Sequence, residues 1–227
     1  MPFPEVLQLH CKNDGIRTLR DTMPWVALDG SVGAGKTTTL RLLRDADTMV
    51  LVEPVGDPAK KTRGIWDAML HAAHEGVPNA AFELQSRIAR DRALSKLAIE
   101  VGQSKTAWAL IERSPDMRRR ICAGMEELGP EQRQSLAASY DAAAASWRTA
   151  GIVYLRLPPD ILFERTKHRE HALTMEQHLA LHAAHEAAVV DILAEGKVPV
   201  SIVDAAGLSE REVAAAVMNA YKKMYVC

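Results

Sequence analysis

One run, Gly30-Ser31-Val32-Gly33-Ala34-Gly35-Lys36-Thr37, restricts what this chain can be more than any other stretch of its 227 residues. It fits the phosphate-binding pattern G-x-x-x-x-G-K-[ST] at each fixed position. Trp25-Val26-Ala27-Leu28-Asp29 before it is mostly apolar, as a buried strand is, and the residues from Thr37 to Arg44 read as a helix. Strand, glycine-rich turn and helix are the setting this pattern needs. Glycines let the backbone curl so that successive N–H groups point at phosphate oxygens, and the helix start adds the positive end of its dipole. The expected phosphate site for a nucleoside triphosphate is therefore Gly30, Ser31, Val32, Gly33, Ala34, Gly35, Lys36, Thr37 and Thr38. Lys36 would reach the β- and γ-phosphates, and the Thr37 hydroxyl would ligate Mg²⁺.

Further apolar runs alternate with helical patterns. Met49-Val50-Leu51-Val52 ends in Glu53-Pro54, and Thr106-Ala107-Trp108-Ala109-Leu110-Ile111 ends in Glu112-Arg113-Ser114-Pro115. Residues 151–157 and 198–204 complete the set of strands. With the phosphate loop, this alternation predicts an α/β P-loop fold, a parallel five-stranded sheet with helices on both faces. Open α/β sheets bind ligands at the carboxyl ends of their strands, which puts Glu53 and Glu112 on the same edge as the phosphate loop. An acid ending a strand is the second half of a P-loop site, where it holds Mg²⁺ directly or through water. Arg113 beside it can pair with a carboxylate or a phosphate.

Between the strands, Pro78 opens a long helix with Ala81, Leu84 and Ile88 on its apolar face and Gln85 among its polar residues. Arg118-Arg119-Arg120 is either a solvated helix face or has one member turned to the site. Residues 130–149 form an alanine-rich helix that could pair with another helix in a dimer. The charged stretch 164–171 is either a solvated helix end or a segment that closes over phosphates. His178, His182 and His185 have helical spacing that could hold zinc, although the apolar residues around them already account for the helix. Ser209-Glu210-Arg211-Glu212 is a capping box for a final amphipathic helix.

Composition excludes little but points consistently. With 48% hydrophobic and 25% charged residues the chain is ordinary for a globular protein. A net charge of -1 gives no reason to expect a nucleic-acid polymer or an anionic membrane as partner. Cys11, Cys122 and Cys227 form no CxxC pair and read as free thiols, which suits a cytoplasmic, reducing compartment. Residues 1–24 read as an extension before a single domain covering 25–227, and no apolar run approaches the length of a membrane span.

Taken in order, the phosphate loop, Glu53-Pro54-Val55, Leu84-Gln85, Glu112-Arg113-Ser114, and Tyr154-Leu155-Arg156 running into Glu164-Arg165 resemble the deoxynucleoside kinase family, which includes the deoxycytidine, deoxyguanosine and mitochondrial thymidine kinases. Leu181-His182 and His185-Glu186 are similar to that family's Leu-His…His-Glu segment, which gives two of the histidines a place without a metal. The resemblance implies ATP-dependent, Mg²⁺-requiring phosphorylation of a deoxynucleoside 5′-hydroxyl by a homodimer. It implies that Glu53 is the general base, that Arg113 holds that base and the reacting oxygens, and that Glu112 lies near Mg²⁺. Gln85 would read the nucleobase edge, and Arg118 stands at a position that bears on base choice. Arg165 and Arg169 would belong to the arginine-rich lid, and Glu170 would match the lid acid that binds the sugar 3′-hydroxyl. Asp204-Ala205-Ala206 resembles the loop that lies against the adenine of ATP. Trp66 is either the counterpart of the family's tryptophan near the nucleoside or a core residue. The short lid also suits a divergent or viral member.

Rival readings make different demands. A nucleoside monophosphate kinase of the thymidylate kinase kind binds an acceptor that already carries a phosphate. Glu53 preceded by Val52 would offer that acceptor a lone carboxylate. A GTPase-type switch needs Asn-Lys-x-Asp, which the sequence lacks. A non-catalytic nucleotide-binding module would have no need of Lys36, Thr37, Glu53 and Arg113 together.

Overall fold

The structure is a computed structural model that describes residues 25–44, 48–51, 68–69, 71–73, 75–102, 108–147, 149–169 and 172–225. The strands are β1 (Trp25–Gly30), β2 (Thr48–Leu51), β3 (Trp108–Glu112), β4 (Thr149–Arg156) and β5 (Val200–Asp204). The helices are α1 (Lys36–Leu43), α2 (Ala80–Gly102), α3 (Pro115–Ala123), α4 (Pro130–Trp147), α5 (Pro159–Thr166), α6 (Met175–Glu195) and α7 (Glu210–Tyr225). The five strands form one sheet in the order β2-β3-β1-β4-β5, and each neighbouring pair is parallel.

Parallel strands covered on both faces must be apolar on both, and β1 is buried along its whole length. Val26 and Leu28 enter one core with Leu40 of α1, Leu162 of α5 and Val213, Val217 and Tyr221 of α7. Trp25 and Ala27 enter the opposite core with Met117 and Ile121 of α3, Ala143 of α4 and Ala188, Val189 and Ile192 of α6. Helices thus cover both faces, as the alternating pattern predicts. A third cluster lies away from the sheet, where Ala89 of α2 meets Cys122 of α3 and Leu136 and Tyr140 of α4.

The strand order places the site. After β1 the chain runs to β2 on one side of the sheet, and after β3 it crosses to β4 on the other. The carboxyl ends of β1 and β3 therefore border the crevice where the winding reverses, the usual ligand position in such sheets. Leu28 of β1 stands level with Glu112 of β3, so the phosphate loop and the acid start from the same height.

Local chemistry sets the helix starts at this edge. Ser114 caps α3 by accepting a hydrogen bond from the Met117 amide at 3.0 Å, and Pro115 follows in the first turn. Thr174 and Gln177 form a reciprocal capping box on α6, and Ser209 and Glu212 do so on α7.

The phosphate loop packs directly on α5. Gly33 has φ +87, and a Cβ built there would lie 2.8 Å from Thr166 Cγ2 and 3.1 Å from the Leu162 carbonyl oxygen. Gly35 has a similar φ of +92 but open space around it. Gly33→Ala therefore combines a left-handed backbone with a clash, whereas Gly35→Ala has the backbone term alone. Gly33→Ala is expected to destabilise the fold by about 1–3 kcal/mol more than Gly35→Ala. Thermal melts of the two variants side by side check this, and equal melting temperatures would contradict it.

Candidate active site

Asp29, the penultimate residue of β1, is 1% exposed and accepts two backbone hydrogen bonds. Its Oδ1 accepts from the Gly30 amide at 3.1 Å, and its Oδ2 accepts from the Ser114 amide at 2.8 Å. One carboxylate thus ties the first residue of the phosphate loop to the segment that follows β3. The Arg113 amide donates to the Leu28 carbonyl at 2.9 Å, which extends the β1–β3 contact by one residue. To make that turn Arg113 adopts φ +66, a left-handed conformation that non-glycine residues rarely hold. Such backbone strain is retained where the surroundings over-determine it, most often at functional sites.

Inside the loop, Lys36 is 4% exposed and its ammonium donates to the carbonyl oxygens of Gly30 at 2.7 Å and Ser31 at 2.8 Å. These bonds hold the charge under the loop. Ser31 Oγ is buried and has no hydrogen-bond partner among the described residues. A buried hydroxyl in a loop of inward-facing amides suits a bound phosphate oxygen. The Thr37 hydroxyl donates to Glu112 Oε1 at 3.0 Å. The two residues expected to face Mg²⁺ are therefore in contact. A hydroxyl beside a carboxylate is the hard-oxygen donor set that this ion takes together with phosphate oxygens.

The His-Glu pair of α6 supports β4. Arg156, which ends β4, donates from Nε and Nη2 to the two oxygens of Glu186 at 3.1 and 2.8 Å. Burial pushes the Glu186 carboxyl up, but hydrogen bonds from Arg156 and Tyr154 outweigh it and hold the carboxyl below its ordinary value. Burial, together with the carboxylate of Glu186, raises the Tyr154 phenol. The ring of His185 stacks on that of Tyr154 at 6.4 Å, and its Nδ1–H donates to the Leu181 carbonyl at 2.7 Å. His178, at the start of α6, is fully buried and lies 2.8 Å from Thr166 Oγ1. The Thr166 hydroxyl already donates to the Leu162 carbonyl at 2.9 Å, so the His178 Nε2–H is the donor to Thr166. Burial, and then Arg169, lower the affinity of His178 for a second proton. His178 and His185 are thus used separately, each within its own packing.

The triple arginine divides three ways. Arg118 is buried beside Cys122, Arg119 pairs with Asp141 at 2.6 Å, and Arg120 pairs with Glu195. Gln85 is buried at 7% exposure against Cys122 and Tyr140, so it is not one of the solvated residues of α2. Arg165, next to Thr166 at the end of α5, and Arg169, three residues past that end, are both exposed. Asp204 and Ala206 are exposed at the end of β5, while Ala205 is buried in the core and its amide donates to the Arg156 carbonyl at 3.0 Å. Glu53, Trp66 and Glu170 lie outside the described residues, as do Cys11 and Cys227, while Cys122 is a free buried thiol. No helix among the described residues is long and apolar enough to cross a membrane.

Sequence reasoning passed over Asp29, Tyr140 and Cys122. The signal for Asp29 was a charge at the end of an otherwise apolar run, directly before the first loop glycine. Tyr140 and Cys122 gave no signal, because only the packing of helices brings them to Gln85.

The fold and the phosphate loop define a P-loop nucleotide-binding protein. The chain belongs to the deoxynucleoside kinase family, whose model matches residues 26–226. It is a kinase that uses ATP to phosphorylate deoxynucleosides. No curated protein matches it.

His185 generates a pH prediction. Its burial, with smaller contributions from Arg113 and Lys36, outweighs the pull of Asp29 and brings its pKa from 6.5 to about 4. As pH falls from 6.5 toward 4 the unfolded chain binds a proton here that the folded chain refuses. The stability tied to His185 is therefore complete above pH 6.5 and lost as pH drops toward 4. By pH 5 the loss should reach about 2 kcal/mol. Urea unfolding at pH 7 and pH 5 should show a smaller difference for His185→Phe than for the native chain. An unchanged difference would contradict the assignment.

Proposed function

We propose that phosphoryl transfer to the deoxynucleoside 5′-hydroxyl takes place at the carboxyl edge of β1 and β3, with the roles divided as follows. The loop from Gly30 to Thr38 holds the ATP phosphates and Lys36 neutralises the group in transfer. Thr37 and Glu112 hold Mg²⁺, which when bound supplies charge neutralisation on the phosphates. Glu53, two residues beyond β2, takes the proton of the attacking hydroxyl, and Arg113 orients that base and the reacting oxygens. Gln85 contacts the base of the acceptor with Arg118 beside it, and Trp66 packs against the nucleoside. Arg165 and Arg169 bring positive charge over the phosphates from the lid, with Glu170 on the sugar. Asp204 and Ala206 border the adenine. The observation that carries this reading is the 3.0 Å contact between Thr37 and Glu112 at the end of the loop whose carbonyls hold the buried Lys36 ammonium.

The same reading includes a homodimer. Leu179, Val190 and Leu193 are exposed along one stripe of α6, and Ala138 and Ala142 are exposed on α4, which packs on the same face of the sheet. Apolar side chains and alanines on neighbouring helices suit close helix pairing across a two-fold axis.

Glu53→Gln removes the base and leaves the phosphate loop intact. It is expected to bind ATP as the native chain does and to lose at least about 100-fold in turnover of its best nucleoside. Calorimetric ATP titration with steady-state kinetics checks this. Near-normal turnover would take Glu53 out of the base role.

A further inference from the structure

Three helices meet at Gln85. Its side-chain carbonyl Oε1 accepts from Tyr140 Oη of α4 at 3.4 Å and from Cys122 Sγ of α3 at 3.7 Å. Tyr140 Oη also lies 3.4 Å from the Gln85 main-chain carbonyl oxygen. All three residues are buried, Tyr140 and Cys122 at 1% exposure. Burial pushes the Cys122 thiol up against weaker opposing effects of Arg118 and Tyr140, so the thiol stays protonated and can donate. Gln132 Nε2 donates to Asn79 Oδ1 at 2.7 Å and fixes the start of α2 on α4, which sets the height of Gln85 against Tyr140.

A primary amide is an acceptor at one atom and a donor at the other. With Oε1 facing a hydroxyl and a thiol, Nε2 is turned the other way, and it has no hydrogen-bond partner among the described residues. The reversed amide would set N–H groups against sulfur, a poor acceptor. Arg118 stands one turn before Cys122 on α3 and is buried beside it. A guanidinium carries donors only. The helix that holds both begins at Pro115, beside the reacting edge of the sheet. Cys122 is about 10 Å along it at 1.5 Å per residue, a span that fits a nucleoside laid between the loop and Gln85.

We infer that Tyr140 and Cys122 lock the Gln85 amide with its N–H donors toward the acceptor base, and that the enzyme therefore selects deoxynucleosides with a carbonyl over those with an amine at the exocyclic position facing Gln85. The inference rests on the reading of Gln85 as the base-contacting residue. A carbonyl at pyrimidine position 4 or purine position 6 accepts from Nε2. With the exocyclic atom rather than the neighbouring ring nitrogen against Nε2, an amine sets donor against donor, and a site built for one partner discriminates strongly against the other. Tyr140 and Cys122 are positioning residues, since they act through Gln85.

The test compares substrates that match in ring size and differ at this edge, deoxyuridine against deoxycytidine and deoxyinosine against deoxyadenosine, with the full chain, ATP and Mg²⁺. In each pair that is turned over, kcat/KM should favour the carbonyl member by at least about tenfold, the effect of one well-placed hydrogen bond. The ratio should fall in Tyr140→Phe and again in Tyr140→Phe/Cys122→Ala, because the amide is then free to turn. KM for ATP should stay unchanged, which general loosening of the helices would not allow. A native chain that treats both members alike, or prefers the amine, overturns the inference, and so does a ratio that survives in Tyr140→Phe. In either case turnover of the nucleosides leaves the site reading standing. If none of these nucleosides is phosphorylated, the reading of Gln85 as a base contact falls and this inference falls with it.

Discussion

The carboxylate of Asp29 joins the phosphate loop to the β3–α3 junction. It is buried at the end of the central strand and accepts one amide from the phosphate loop and one from the start of α3. Charged acceptors make stronger hydrogen bonds to amides than neutral ones, and leaving either amide buried without a partner would cost about 1–3 kcal/mol. With the loop and the β3–α3 junction held to one group, Thr37 can reach Glu112 and Arg113 is forced into its left-handed turn. The positions of the hydroxyl, the carboxylate and the arginine thus follow from one anchoring contact and from the parallel register of β1 and β3.

A second set of contacts links this centre to α5, α6 and α2. Gly33 packs on Thr166, and Thr166 is held by His178 at the start of α6. The same helix carries His185 and Glu186, which brace Tyr154 and Arg156 at the carboxyl end of β4. Helix α6 therefore touches α5 through His178 and the carboxyl end of β4 through His185 and Glu186. On the other side, α3 runs from the Ser114 cap at the end of β3 to Cys122, which meets Gln85 of α2.

Much of this was legible in the sequence, for physical reasons that differ by element. Strands buried on both faces leave continuous apolar runs, so each expected strand is present to within a few residues, and Glu112 ends β3 as its spacing implied. The phosphate loop is contiguous, so its pattern is complete on the page. Capping residues act within one turn, and the Ser209–Glu212 box was read directly. What depended on long-range packing was not legible. Arg118, Arg119 and Arg120 are identical letters with three environments, set by which helix faces each. Gln85 reads as a solvated polar residue until α3 and α4 close over it. The pattern leaves the Gly33 position open, yet α5 lies against it and leaves no room for a side chain.

The central claim is that one buried carboxylate organises the nucleotide site, and Asp29→Asn tests it most directly. The amide keeps the size of the side chain but can accept only one of the two bonds, and its own N–H then faces a backbone N–H. Calorimetric titration with ATP and Mg²⁺, paired with turnover of the best nucleoside, is the measurement. The account predicts a folded protein whose ATP affinity and turnover both fall by about tenfold or more. Native affinity and native turnover in Asp29→Asn would contradict it.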